Sequence, residues 1–292
     1  MENNPKEIKL VRKEDKNFPS SLKKISSPPK TLYFQGKFDP EGKKIIAIVG
    51  TRKPSREGEK IAYQLAFELA QRKIIVLSGL AFGIDCIAHQ AALEAGGITW
   101  AVLASGLDKV YPASHKNLAQ KIIEKGGCLI SEYPSGAFPQ THYFVLRNRL
   151  ISALAEGVLV VEAPLKSGAL ITAHFAFQQK KKLMAVPGSP FSPNSQGTNQ
   201  LIKEGAILVR NADDVLEELR IKTDTQQKVD LDSLNSKERK IIEVLREKKE
   251  LDVDNLCQLT KLNSQELLSE LSKLIIEGKV KENNRGRYTL SF

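Results

Sequence analysis

Ile45-Ile46-Ala47-Ile48-Val49-Gly50 is an unbroken apolar run closed by a glycine. Such a run has no polar face to turn to water, so it reads as a strand covered on both sides, the habit of parallel sheets. The chain around it repeats the pattern. Ile74-Ile75-Val76-Leu77 leads into Ser78-Gly79, and 99–103 leads into Ser105-Gly106. Further strand signals lie at Cys128-Leu129-Ile130, Val158-Leu159-Val160-Val161 and Leu183-Met184-Ala185-Val186. Helical periodicity fills the intervals at 56–72, 84–95, 115–124, 145–154 and 169–179. Buried strands alternating with helices imply an α/β, doubly wound, mostly parallel sheet. Ligands of such sheets bind outside the carboxyl ends of the strands. The loops to search are therefore 50–56, 78–83, 105–108, 131–143, 162–168 and 187–197.

This pattern occupies 41–220. Residues 1–40 are Lys-rich and carry Pro5, Pro19, Pro28, Pro29 and Pro40. They read as a basic arm with one strand-like stretch, Leu32-Tyr33-Phe34, too short for a core of its own. Leu32-Tyr33-Phe34-Gln35-Gly36 is also similar to a protease-recognition tag, but it lies too far into the chain for a scar and is read as native. Residues 221–235 are polar and aperiodic, a linker. Beyond it, helix patterns at 236–247, with Ser236 as N-cap, 252–258 and 264–277 precede a hairpin around Asn283-Asn284-Arg285-Gly286. Three helices and a two-stranded wing suggest a small C-terminal winged-helix domain at 236–292. Its third helix sets Lys273 against Glu266, Glu270 and Glu277, which repels phosphate and favours protein contact over DNA.

The chain has 292 residues, of which 41% are hydrophobic and 27% charged, and a net charge of +10. The excess of cations lies before residue 221. That balance favours a polyanionic partner. No apolar run is long enough to span a bilayer, and Met-Glu-Asn-Asn-Pro is not a signal core, so a cytoplasmic location with no membrane contact is expected. Cys86, Cys128 and Cys257 are too scattered for a disulfide framework, and the four histidines show no ligand spacing, so no metal is expected.

In Gly50-Thr51-Arg52-Lys53-Pro54-Ser55, a strand meets a helix start, where backbone N–H groups attract an anion and Arg52 can fork onto phosphate. Ser78-Gly79-Leu80-Ala81-Phe82-Gly83-Ile84-Asp85 offers small residues for close approach, but it is neither a Walker A loop nor G-x-G-x-x-G, so no nucleotide cofactor is expected. Asp85 and His89 share a helix face, which reads as an internal hydrogen bond rather than a catalytic pair. In Phe138-Pro139-Gln140-Thr141-His142-Tyr143-Phe144-Val145-Leu146-Arg147-Asn148-Arg149, aromatics interleave with arginines. Arginines bind phosphates and aromatics stack on exposed bases, a combination suited to single-stranded nucleic acid. The competing reading pairs the arginines with Glu132 and Glu162. In Glu162-Ala163-Pro164-Leu165-Lys166-Ser167-Gly168, Lys166, Ser167 and the following helix start suit another phosphate. No Gly-x-Ser-x-Gly elbow is present, and no catalytic residue is assigned.

Ordered along 45–220, Ile48-Val49-Gly50-Thr51-Arg52, Ser78 to Asp85, Ala104-Ser105-Gly106-Leu107-Asp108-Lys109-Val110-Tyr111-Pro112, Ser131-Glu132-Tyr133-Pro134, Phe144-Val145-Leu146-Arg147-Asn148-Arg149, Lys166-Ser167-Gly168-Ala169 and Val186-Pro187-Gly188 together resemble the DNA-processing protein A family (DprA, also called Smf). Pro28-Pro29-Lys30-Thr31-Leu32-Tyr33 is similar as well. The resemblance implies an extended Rossmann-like fold, a non-enzymatic role, single-stranded DNA bound with little sequence preference, loading of the RecA recombinase during natural transformation, and a homodimer. It assigns the DNA-binding pocket to Gly50, Arg52, Phe144, Arg147, Asn148, Arg149, Lys166, Ser167 and Gly168, beside which Ser78 and Gly79 are expected to donate hydrogen bonds. It assigns dimer contact to 197–208, where Ile202 and Leu208 are apolar. Many members carry a helical domain before the sheet, and the first 40 residues are expected to be too few for one. Two other readings remain. A related nucleoside-monophosphate-hydrolysing enzyme would use Glu162 as acid/base, and a winged-helix transcription regulator would prefer duplex DNA.

Overall fold

The computed structural model describes residues 7–221, 234–248, 250–277, 279–283 and 286–290. Most of the expected linker, the end of the third C-terminal helix at Gly278, and Asn284 and Arg285 of the expected hairpin lie outside the described residues. The chain divides into two units between Lys222 and Thr223.

In chain order, the first unit contains β1 (Ile8–Arg12), α1 (Ser20–Lys23), β2 (Thr31–Gly36), β3 (Ile45–Val49), α2 (Arg56–Gln71), β4 (Ile75–Ser78), α3 (Ile84–Glu94), β5 (Thr99–Leu103), α4 (Lys116–Glu124) and β6 (Cys128–Ser131). It continues with α5 (Thr141–Leu154), β7 (Gly157–Val160), α6 (Ala169–Gln178), β8 (Lys182–Ala185), α7 (Gln196–Lys203), β9 (Ile207–Leu208) and α8 (Ala212–Glu218). The sheet has nine strands in the order β1-β2-β6-β5-β4-β3-β7-β8-β9. From β6 to β9 every pairing is parallel, while β2 pairs antiparallel with both β6 and β1.

β3 is buried along its whole length, as its composition requires. Alternation sends Ile45, Ala47 and Val49 to one face, against α5 and α6, and Ile46 and Ile48 to the other, against α2 and α3. β3 is also where the winding reverses. The chain steps outward from β3 through β4 and β5 to β6, then returns to lay β7 on the other side of β3. Loops leaving β3 and β7 diverge there and open a crevice. α2 begins at that crevice with Ser55 as N-cap, accepting from Gly58 N at 3.0 Å, and Glu57 and Glu59 complement its dipole.

From residue 7 onward the N-terminal segment is not an arm. β2 lies between β1 and β6, and Val11, Phe18, Leu22, Ile25 and Leu32 belong to the same buried cluster as β3. The segment adds to an existing core instead of building one, so its shortness is no obstacle. Helix α5 starts at Thr141, a turn earlier than the apolar periodicity suggests, and so takes in His142 and Tyr143.

The second unit contains α9 (Ser236–Lys248), β10 (Glu250–Leu251), α10 (Val253–Thr260), α11 (Ser264–Ile276), β11 (Val280–Glu282) and β12 (Tyr288–Leu290). Its sheet has the order β10-β12-β11, one strand more than expected. Ile241, Ile242, Leu256, Leu267, Leu271 and Leu274 form its core. The cap of α9 is Asn235 rather than Ser236: Asn235 Oδ1 accepts from Glu238 N at 2.9 Å, and Glu238 Oε2 accepts from Asn235 N at 2.9 Å.

Leu32 is fully buried in β2. Leu32→Ala is expected to lower the unfolding free energy by about 2–5 kcal/mol. The single tryptophan, Trp100, is buried in β5 and its fluorescence reports this unit's urea transition. An unchanged midpoint would return 1–40 to the status of an arm.

Candidate nucleic-acid interface

At the reversal point the carboxyl ends of β3 and β7 open into a cleft of about 810 Å³. Its walls come from the loop after β3, the first turns of α5 and the approach to α6. Gly50, Arg52, Phe144, Arg147, Asn148, Lys166, Ser167 and Gly168 all line it, so the fold brings together segments more than a hundred residues apart in sequence. Lys53, Tyr111, Thr141 and Asn194 join them.

The cations divide into two kinds. Arg52, Lys53 and Lys166 are exposed, and none has a carboxylate partner among the described residues. The Arg52 guanidinium lies 5.5 Å from the centre of the Phe144 ring, which meets Tyr111 edge-on at 5.6 Å. Arg147 is the opposite case. It is buried; Nη1 donates to the carbonyl of Gly79 at 2.6 Å and to that of Val102, and Nε donates to Asn148 Oδ1 at 3.2 Å. Burial pulls its pKa down to about 10, while Asp85 nearby opposes that, so it stays charged at neutral pH. Asp85 is itself buried and raised by desolvation, against the pull of Arg147 and its hydrogen bonds from Gly79 N at 3.1 Å and Ala81 N. Arg147 thus commits Nη1 to the loop after β4 and to β5, and Nε to Asn148.

Arg149 does not line the cleft. It is buried, and its Nη2 donates to Glu132 Oε1 at 2.7 Å and Oε2 at 2.5 Å. Position decides this: two residues along a helix from Arg147, Arg149 faces a different side and meets β6's end. The pairing with Glu132 weighed from sequence is the one the fold makes. Glu162 meets neither arginine. Its carboxylate accepts from Ser55 Oγ at 2.6 Å, Ser55 N at 2.9 Å and Asn194 Nδ2 at 3.2 Å, locking the start of α2. A carboxylate so occupied is poorly placed to act as acid or base.

The glycine-rich loop after β4 serves packing. A Cβ at Gly79 would overlap the Arg147 guanidinium. Gly83 has φ of +73°, and a Cβ there would strike the Thr51 carbonyl. Ser78 is fully buried and donates to the Ile48 carbonyl at 2.6 Å, so it offers nothing to a ligand. Asp85 and His89 are not bonded to each other. His89 Nδ1 lies 2.6 Å from Thr99 Oγ1, whose only proton goes to the Val76 carbonyl at 2.7 Å. His89 is therefore the donor and is neutral, consistent with burial depressing its pKa to about 3. Asn148 ties α5 to α6 by donating to the Gly168 carbonyl at 3.3 Å, and Ser167 Oγ accepts from Ala169 N at 3.3 Å. Among the described residues no cluster of His, Cys, Asp and Glu could hold a metal ion, and no helix is long and apolar enough to cross a membrane.

A family model described as DNA recombination-mediator protein A matches residues 9–220, from β1 to the end of the first unit. The chain belongs to that family. Protein Smf of Escherichia coli (strain K12) is 40% identical over 211 residues, covering 72% of this chain and 56% of Smf. DNA processing protein DprA of Bacillus subtilis (strain 168) is 40% identical over 214 residues, covering 73% of this chain and 71% of DprA. The chain thus spans a little over half of Smf. The X-ray structure of DprA from Streptococcus pneumoniae has a TM-score of 0.68 at 37% identity, covering 72% of this chain and 74% of that one. DprA from Helicobacter pylori, in a structure concerned with its single-stranded DNA binding mode, has a TM-score of 0.66 at 31% identity, covering 74% and 96%. The family's match through β1 and β2 agrees with their place in the sheet.

Sequence reasoning passed over Lys53 and Tyr111. Lys53 stood in the quoted loop beside Arg52; Tyr111 stood in a stretch noted only for its similarity. The buried and exposed cations are separable by experiment. Arg147→Met is expected to cost about 3–5 kcal/mol, because it strands Asp85 and two carbonyls. Arg52→Ala is expected to stay within about 0.5 kcal/mol. Urea titrations followed by Trp100 fluorescence compare them, and equal losses would contradict the division.

Proposed function

We propose that the chain binds single-stranded DNA across this cleft and acts in the cytoplasm as a recombination mediator that loads RecA during natural transformation. The observation that carries the proposal is the trio of exposed, unpaired cations, Arg52, Lys53 and Lys166, around the half-open Phe144 ring. Cations without carboxylate partners lose no ion pair when they meet phosphate. An unstacked base finds a π face beside them, and duplex DNA hides that surface of its bases. The Helicobacter pylori relative, described for its single-stranded DNA binding, supports the choice of ligand. RecA loading and natural transformation rest on the family resemblance.

A homodimer through 197–208 belongs to the same reading. Leu208 sits in β9, the last strand of the sheet, and is 44% exposed; Ile202 on α7 is half-buried. The second unit is proposed as a winged helix that contacts protein. On α11 Glu270 is tied to Lys273 and Asn235, Glu266 to Lys237, and Leu268 and Ile275 are exposed. The helix thus shows a paired polar side on which Lys273 is already engaged by Glu270, and an apolar strip on another side.

Fluorescence anisotropy with a labelled oligonucleotide of about 20 residues, single-stranded and duplex, tests the binding. Three phosphates neutralised give a log–log salt slope of about −2 for single strands, and removing Arg52, Lys53 or Lys166 shortens it by about 0.7 each. Equal affinity for duplex would shift the reading to a regulator bound through the second unit, and release of free base from a nucleotide would restore the enzyme. In light scattering, Ile202→Glu and Leu208→Glu are each expected to give a monomer, and mutants that remain dimeric would place the interface elsewhere.

A further inference from the structure

Outside the cleft, another cation lies against an exposed ring. Phe138 is 68% exposed, and Lys109 Nζ sits 5.3 Å from its centre. The pair reproduces the arrangement of Arg52 on Phe144 at 5.5 Å. Lys109 is exposed and has no carboxylate partner among the described residues; the neighbouring Asp108 turns its Oδ1 to Gly136 N at 2.9 Å instead.

Two loops hold this pair in place. Gly106 N donates to the Ala137 carbonyl at 2.9 Å, Ser105 Oγ to the Lys109 carbonyl at 2.7 Å, and Ser131 Oγ to the Ser105 carbonyl at 2.6 Å. The loop after β5 and the loop after β6 are thus laced together, with Phe138 and Lys109 displayed on them. Tyr111, two residues beyond Lys109, is 49% exposed and lines the cleft against Phe144. Contacts run from Arg52 through Phe144 to Tyr111, and by way of the Lys109 loop to Phe138.

We propose that Lys109 and Phe138 form a second nucleotide-binding step, onto which the single strand continues from the cleft across Tyr111. The inference rests on the single-strand reading of the cleft and extends it. A ring left in water beside an unpaired cation gains little for the fold. Facing a flexible polyanion with unstacked bases, it offers a stacking face and a phosphate partner within one side chain's reach. Continuity with the cleft sets the occupant as the same strand.

The test uses the full chain and oligothymidylates of about 5 and about 20 nucleotides, a short one for the cleft alone and a long one for both steps. Phe138→Ala is expected to weaken the long oligomer by about fivefold or more and to leave the short one unchanged. Lys109→Ala is expected to shorten the long oligomer's salt slope by about 0.7. Trp100 fluorescence confirms that both variants fold. If both bind the long oligomer like the wild type while Phe144→Ala and Arg52→Ala weaken it, the second step is overturned and the cleft stands. An equal loss on both lengths would place Phe138 in the cleft and overturn the extension. If the wild type binds neither oligomer, the single-strand reading itself falls.

Discussion

A guanidinium buried at the carboxyl edge of a parallel sheet needs acceptors, and Arg147 finds them in the backbone. Its contacts with the carbonyls of Gly79 and Val102 bolt the loop after β4 and the end of β5 to helix α5. Asp85 supplies the opposing charge and gathers the N–H groups of Gly79 and Ala81. The same α5 turn reaches α6 through Asn148. Gly79 has no side chain because the guanidinium occupies that space. Most of the cleft's walls thus hang from one buried ion, whose desolvation is tolerable only because each neighbour is committed to it.

Across the crevice Glu162 plays the matching part. It holds Ser55 and Asn194, and Thr51 N donates to its carbonyl at 2.7 Å, so the loop carrying Arg52 is pinned at both ends. Buried charges build the frame and exposed charges face outward from it. This arrangement suits a partner recognised by charge and stacking rather than by base edges. The exposed cations are hydrated and screened, while the buried scaffold beneath is insulated from salt.

The nine-stranded sheet ends differently on its two sides. β2 pairs with β6 and β1 caps β2, so β6 is not left as an edge. At the opposite end β9 is two residues long, with Leu208 half in water. A strand this short presents few unpaired backbone groups, which blunts that edge against strand pairing.

Much of the fold was legible in the sequence because its signals are local. The unbroken apolar run of β3 and the helical periods between strands each need only a few neighbouring residues to be recognised, although the sequence signal misplaces the cap of α9 by one residue, at Ser236 instead of Asn235. The loops to search followed from the carboxyl ends of the strands, and the cleft lies among them. What sequence could not assign was the job of each charge. Arg147, Arg149, Arg52 and Lys166 are alike as letters, yet the fold buries the first two against Gly79 and Glu132 and leaves the others free. The fate of 1–40 was hidden for the same reason, since β2 pairs with a strand almost a hundred residues away. Backbone propensity and periodicity are written in adjacent residues, whereas burial and pairing depend on partners that only the folded chain brings together.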